Sequence, residues 1–130
     1  IVFTTQMKNV AEVLQKGVST YPDIAVCNFM KAKHGYSKSY EDFEKLNTKS
    51  ISPNSLRRGW SLAKRIDNLG TEVSWTHFTV DWFDKYSDFL QARSGPSNDW
   101  ASDANYKKFM KLRDLTHTVV FRKFIFLNKE

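Results

Sequence analysis

The stretch Ser39–Gly70, SYEDFEKLNTKSISPNSLRRGWSLAKRIDNLG, decides how this chain is read. Ser39 is placed to cap a helix starting at Tyr40, with Asp42 as its reciprocal partner. Phe43 and Leu46 then share one face, and Asn47 suits the left-handed end of a helix. Thr48 to Ile51 make a turn, and Ser52-Pro53 is a start signal for a second helix. From there Leu56, Trp60, Ala63 and Ile66 recur at helical spacing and form one apolar stripe. Arg57, Ser61, Lys64, Arg65 and Asn68 fall on the opposite side, and Gly70 closes the helix.

This is the outline of a helix-turn-helix-like unit at 39–70, whose second helix could lie in a major groove. Its guanidinium groups would then meet phosphates or base edges. Two features depart from the motif: the turn lacks a glycine, and about three extra residues, Thr48 to Ser50, lengthen it. The competing reading is an amphipathic core helix with a merely solvated basic side.

Charge supports the first reading. The chain carries 20 Lys and Arg against 14 Asp and Glu, a formal +6, and a polyanionic partner suits that balance. The charge is also segregated. Residues 1–70 sum to +5, residues 71–92 to −3 (Lys85 against Glu72, Asp81, Asp84 and Asp88), and residues 105–130 to +5. The second basic surface falls on an expected helix from about Asp99 to Leu115, which carries Lys107, Lys108 and Lys111. Aromatics make up 15% of the chain, with ten Phe, five Tyr and four Trp. That is more than a core of this size needs, so some are expected to face a partner.

Working outward, Met7, Val10, Ala11 and Leu14 have helical spacing, as do Ala25, Val26, Phe29 and Met30. After Gly70, Ser74 reads as a cap for a helix with the broad stripe Trp75, Phe78, Trp82, Phe83, Tyr86, Phe89 and Leu90. The alternative role for that stripe, stacking bases, is opposed by Asp81, Asp84 and Asp88 on the same helix. Gln91 to Ser102 reads as a polar loop, and 116–127 fits either helix or strand, with helix preferred. The expected fold is therefore all-α, a compact bundle of about five to six helices forming one domain over 1–130. The start at Ile1 suggests a fragment of a longer protein.

Little assembled chemistry is visible. His77 and Asp81, four apart on the expected helix, could share a metal ion, but no third ligand stands at a telling distance. Cys27 lies among Ala25, Val26, Phe29 and Met30, where a thiol stays inert. It also leaves no intrachain disulfide, and no apolar run approaches the ~20 residues of a membrane span, so an intracellular setting fits. No clustered glycines cradle a phosphate. The expectations are no catalytic residues, no metal and no cofactor. The expected function is nucleic-acid binding through Arg57, Arg58, Ser61, Lys64, Arg65, Asn68, Lys107, Lys108 and Lys111, with DNA and RNA undistinguished. The alternative is a helical protein-interaction or self-assembly module.

Overall fold

The protein is a five-stranded antiparallel sheet with helices packed against one face, seen in a computed structural model that describes residues 6–67, 75–94 and 104–123. In chain order the elements are β1 (Met7–Leu14), β2 (Ile24–Ala32), α1 (Ser37–Asn47), β3 (Gly59–Arg65), β4 (His77–Phe83), α2 (Tyr86–Ser94), α3 (Ala104–Leu112) and β5 (Arg113–Arg122). The sheet order is β1-β3-β4-β2-β5.

The all-α expectation is therefore wrong, and no helix-turn-helix exists at 39–70. Its first helix is real, as α1, but Tyr36 occupies the capping position and no side chain caps it. The second helix never starts. Ser52 Oγ accepts the Asn54 amide, Ser55 N bonds back to Ser52 O at 3.0 Å, and the chain turns into β3. The buried Gln15 fixes that turn from the end of β1, its Nε2 donating to Ser52 O at 2.6 Å and Ser55 O at 3.1 Å. Trp60 and Leu62 are buried while Ser61 and Ala63 are half-buried, which is the alternation of a strand.

The same correction applies to β1, β2 and β4, all expected as helices. In β4, and less so in β2, the residues are of β-branched and aromatic types that fit a pleated surface, whereas β1 has only Val10 and Val13 of that kind. In β2 and β4 both faces carry apolar groups, so every short spacing is filled and helical periodicity arises without a helix. The segment 116–127, where helix was preferred, runs as strand through Arg122; 124–127 lies outside the described residues. Of the polar loop expected over Gln91 to Ser102, Gln91 to Ser94 belong to α2, and 95–102 lies outside the described residues. The helix expected near 99–115 is present as the shorter α3.

Two apolar clusters lie between helices and sheet. Met30, Trp60 and Leu62 meet Tyr40 and Phe43 of α1, Ile51, and Phe109 and Leu112 of α3. Ile24, Val26 and Phe83 meet Phe89 of α2. Between these clusters the covered face is polar. Asn28 donates to Asp81 Oδ2 at 3.2 Å and accepts from Thr118 at 2.9 Å, and Arg57 Nη1 donates to Asp81 Oδ1 at 3.0 Å.

Candidate interaction site: the aromatic face of the sheet

The strand registers place the face away from the described helices, here called the open face, in rows running across the strands. One row is His117–Phe29–Phe78–Ala63–Asn9, taken from β5 through β2, β4 and β3 to β1. The next is Val119–Cys27–Val80–Ser61–Glu12, and the third is Phe121–Ala25–Trp82–Gly59–Leu14. Small side chains thus floor the middle, and rings stand on both sides. The buried apolar residues of the three described helices all belong to the two clusters on the other side.

Side chains organise both aromatic rows. Phe29 stacks on His117 with centroids 4.3 Å apart and planes 9° apart. It also meets Trp75 edge-on at 5.0 Å, and the Arg65 guanidinium lies 5.5 Å over Trp75. In the third row Tyr21, from the β1–β2 loop, packs on Trp82 at 4.8 Å. The Trp82 ring lies across Gly59, its strand neighbour, and a Cβ there would stand 3.0 Å from Trp82 Cδ1 and 2.9 Å from Leu14 Cδ2. Glycine is needed at 59 because that space is taken. Phe121 and Tyr21 remain about half exposed, at 52% and 48%. Charge reaches the margin of this face, where Glu12 accepts the Tyr21 hydroxyl, Arg65 Nε donates to Asp67 at 2.8 Å, and Lys31 stands opposite Asp114.

The residues expected to bind nucleic acid are scattered. Arg57 pairs with Asp81 at 3.0 Å, Arg58 with Asp84 at 3.3 Å, Lys64 with Glu41 at 3.8 Å and Arg65 with Asp67 at 2.8 Å. Ser61 and Arg65 point to the open face and Lys64 to the covered one, as alternation along β3 requires. Lys107, Lys108 and Lys111 are exposed on α3. Asn68 lies outside the described residues. The grouping assumed a helix, and a strand splits it between two faces.

The titratable groups under the helices are arranged for structure. His77 is buried, with Nε2 facing Glu41 Oε1 at 2.9 Å and Ser37 Oγ at 3.5 Å, and Nδ1 facing Thr76 Oγ1 at 2.8 Å. A Ser-His-acid relay needs the acid and the nucleophile on opposite ring nitrogens, and here both share Nε2. Burial holds the His77 pKa below the ordinary imidazole value, against the raising pull of Glu41. Burial pushes Glu44 up to about 7, against the lowering pull of the Tyr40 hydroxyl, which donates to it at 2.9 Å, and of Arg113. Asp81 is likewise raised by burial, despite Arg57.

The His77–Asp81 pair considered for a metal fails on geometry, because four residues along a strand separate side chains by about 13 Å. Among the described residues no group of three or more His, Cys, Asp or Glu could hold a metal ion. Cys27 is buried on the open face, and desolvation raises its thiol to about 11, so it stays protonated at neutral pH. No described helix is long and apolar enough to cross a membrane.

Comparison with known proteins leaves the reading to the geometry: no family model matches the chain, and no curated protein matches it. Sequence reasoning missed the aromatic face as a surface. The signal available was the alternation Phe78, Val80, Trp82 against His77, Thr79, Asp81, which separates the two kinds of residue with period two.

Proposed function

We propose that the protein is a non-catalytic docking module that binds a partner protein on the open face of its sheet. The observation that carries this reading is an inversion on β4. The side of the strand under the helices holds His77, Thr79 and Asp81, while the side away from the described helices holds Phe78, Val80 and Trp82. A lone protein gains nothing from apolar rings on its open face, and a patch of this kind ordinarily marks an interface. Aromatic residues with uncharged surroundings are what the centre of a protein–protein interface selects. The ion-paired arginines of β3 and its preceding turn favour the same reading, because cations already matched at home add little to phosphate binding.

Peptide selection against the immobilised protein, followed by calorimetric titration of the selected peptides, tests this. Charging the rim of the face with Val119→Lys and Phe121→Lys should weaken those peptides at least ~30-fold, the effect of removing one hot-spot contact of about 2 kcal/mol. Peptides whose affinity survives both substitutions in a folded protein would overturn the proposal. Sedimentation over a range of concentrations asks the related question of a second copy: a mass that doubles in wild type and not in the double variant makes this chain its own partner.

A further inference from the structure

The other side of the molecule has a different character, independent of the aromatic face. Helix α1 contains Lys38, Lys45, Glu41, Asp42 and Glu44, which sum to −1. The fold sorts these charges. Glu44 is buried at 7% exposure, and Glu41 turns inward to His77 and Lys64. What remains outside on α1 is Lys38 and Lys45 with Asp42.

Helix α3 packs beside it through Phe43 and Phe109, whose centroids are 4.5 Å apart, and brings exposed Lys107, Lys108 and Lys111. The two helices share their cations closely. Lys108 Nζ lies 4.7 Å over the Phe43 ring of α1, and Lys33 Nζ donates to Met110 O at 2.9 Å. The outward surface of the pair thus shows five lysines against one exposed carboxylate, Asp42. Among the described residues Lys45, Lys107, Lys108 and Lys111 enter no ion pair, in contrast to the paired Arg57, Arg58, Lys64 and Arg65.

We infer that the outward surface of α1 and α3 binds the phosphate backbone of a nucleic acid, without reading its bases. Lysines on two neighbouring helices are mobile point charges that meet phosphates without demanding a fixed geometry. Base readout would need side chains entering a groove or a set of rings free to stack; here Tyr40, Phe43 and Phe109 are buried and Tyr106 is half-buried, which leaves Tyr36 at the start of α1 as the exposed ring among the described residues of the pair. The same burial disfavours an anionic membrane. A helix lying in a lipid surface sinks Trp, Phe and Leu into it, whereas this surface offers Leu46 and Met110.

The test is fluorescence anisotropy with a labelled single-stranded RNA 20-mer of mixed sequence. Binding should fall about 15-fold between 50 and 200 mM salt, as roughly three single-strand phosphate contacts give. Lys107→Glu with Lys111→Glu should weaken binding at least ~10-fold and flatten the salt dependence. Lys16→Glu with Lys85→Glu, the same change in formal charge at exposed positions outside α1 and α3, should leave affinity within about twofold. Equal losses from the two double variants, or binding indifferent to salt, would overturn the inference. So would phosphatidylserine vesicles that bind through Lys107 and Lys111 while the RNA does not.

Discussion

The two faces of the sheet are made by the same strands and differ in the reverse of the usual sense. Under the helices, Asn28, His77, Thr79, Asp81 and Thr118 interrupt the apolar packing, and each finds a hydrogen-bonding partner. On the open side, Phe29, Phe78, Trp82, Val119 and Phe121 meet one another or solvent. Polar groups can be buried if they are satisfied, and apolar groups can be left outside if something else covers them. On the reading proposed above, the covered face carries stability and the other face carries binding, a division that substitutions can break.

The largest difference is expected between Leu62→Ala and Phe121→Ala. Leu62 has no exposed surface and lies among Met30, Tyr40 and Trp60, so its truncation should cost about 3–4 kcal/mol. Phe121 is 52% exposed on an outer strand, and its loss should cost under ~1 kcal/mol. Urea unfolding of the two variants measures the gap. Comparable losses would mean that the open face is core.

Next is the pH dependence of the covered face. Glu44 is raised in the folded state, so the stability linked to its protonated form is present below the unfolded carboxyl pKa and is lost as pH rises through about 7. His77 is lowered, so its contribution runs the other way and is lost as pH falls below the ordinary imidazole range. In mildly acidic solution the two slopes oppose each other, and above the ordinary imidazole range only the Glu44 loss remains of the pair. Glu44→Gln keeps an acceptor for the Tyr40 hydroxyl and should remove its share of the alkaline decline, about 1–3 kcal/mol between pH 5 and 8, leaving the share of Asp81, which is raised in the same sense. Melting temperature against pH, for wild type and variant, provides the measurement. An unchanged alkaline slope in the variant would show that Glu44 is not the group responsible.

How much of this was legible in the chain depended on the element. Helix α1 could be read because Tyr40, Phe43 and Glu44 form a narrow inward strip between solvated residues. Lys107, Lys108 and Lys111 of α3 could be read for the same reason, as a basic exposed side. Strands β2 and β4 could not, because a strand apolar on both faces has no empty positions to reveal its period. Trp60, Ala63 and Ile66 looked like a helical stripe by coincidence of spacing, and only the partners of Trp60 across the sheet, Val13 and Asp81, show that it belongs to a strand. Nor is it visible in a helix wheel that Glu41 and Glu44 turn inward, since His77 lies 36 residues from Glu41 in sequence.

A smaller effect probes how the open face is supported. Gly59→Ala places a methyl 2.9 Å from Leu14 Cδ2 and 3.0 Å from Trp82 Cδ1, so Leu14 must turn aside and the Trp82 ring must also shift. Leu14 is the more flexible, and the cost should be about 1 kcal/mol. The informative reading is the near-ultraviolet circular dichroism of the tryptophans, which should change because Trp82 loses its seat beside Tyr21. A spectrum identical to wild type would place the Trp82 ring away from Gly59.

The smallest expected change separates stability from binding most cleanly. His117 stacks on Phe29 at 4.3 Å, yet it is exposed on an outer strand, so removing its ring forfeits the stacking and little buried area. His117→Ala should therefore cost only about 0.5–1 kcal/mol of folding free energy. If the row His117–Phe29–Phe78 supports a docked partner, the same substitution frees the Phe29 ring from its neighbour, and partner affinity should fall by more than the stability does. Titrating one selected peptide against wild type and variant, beside their urea midpoints, compares the two costs directly. A loss confined to folding would make the row internal packing, and the face would have to be defended on Trp82 and Phe121 alone.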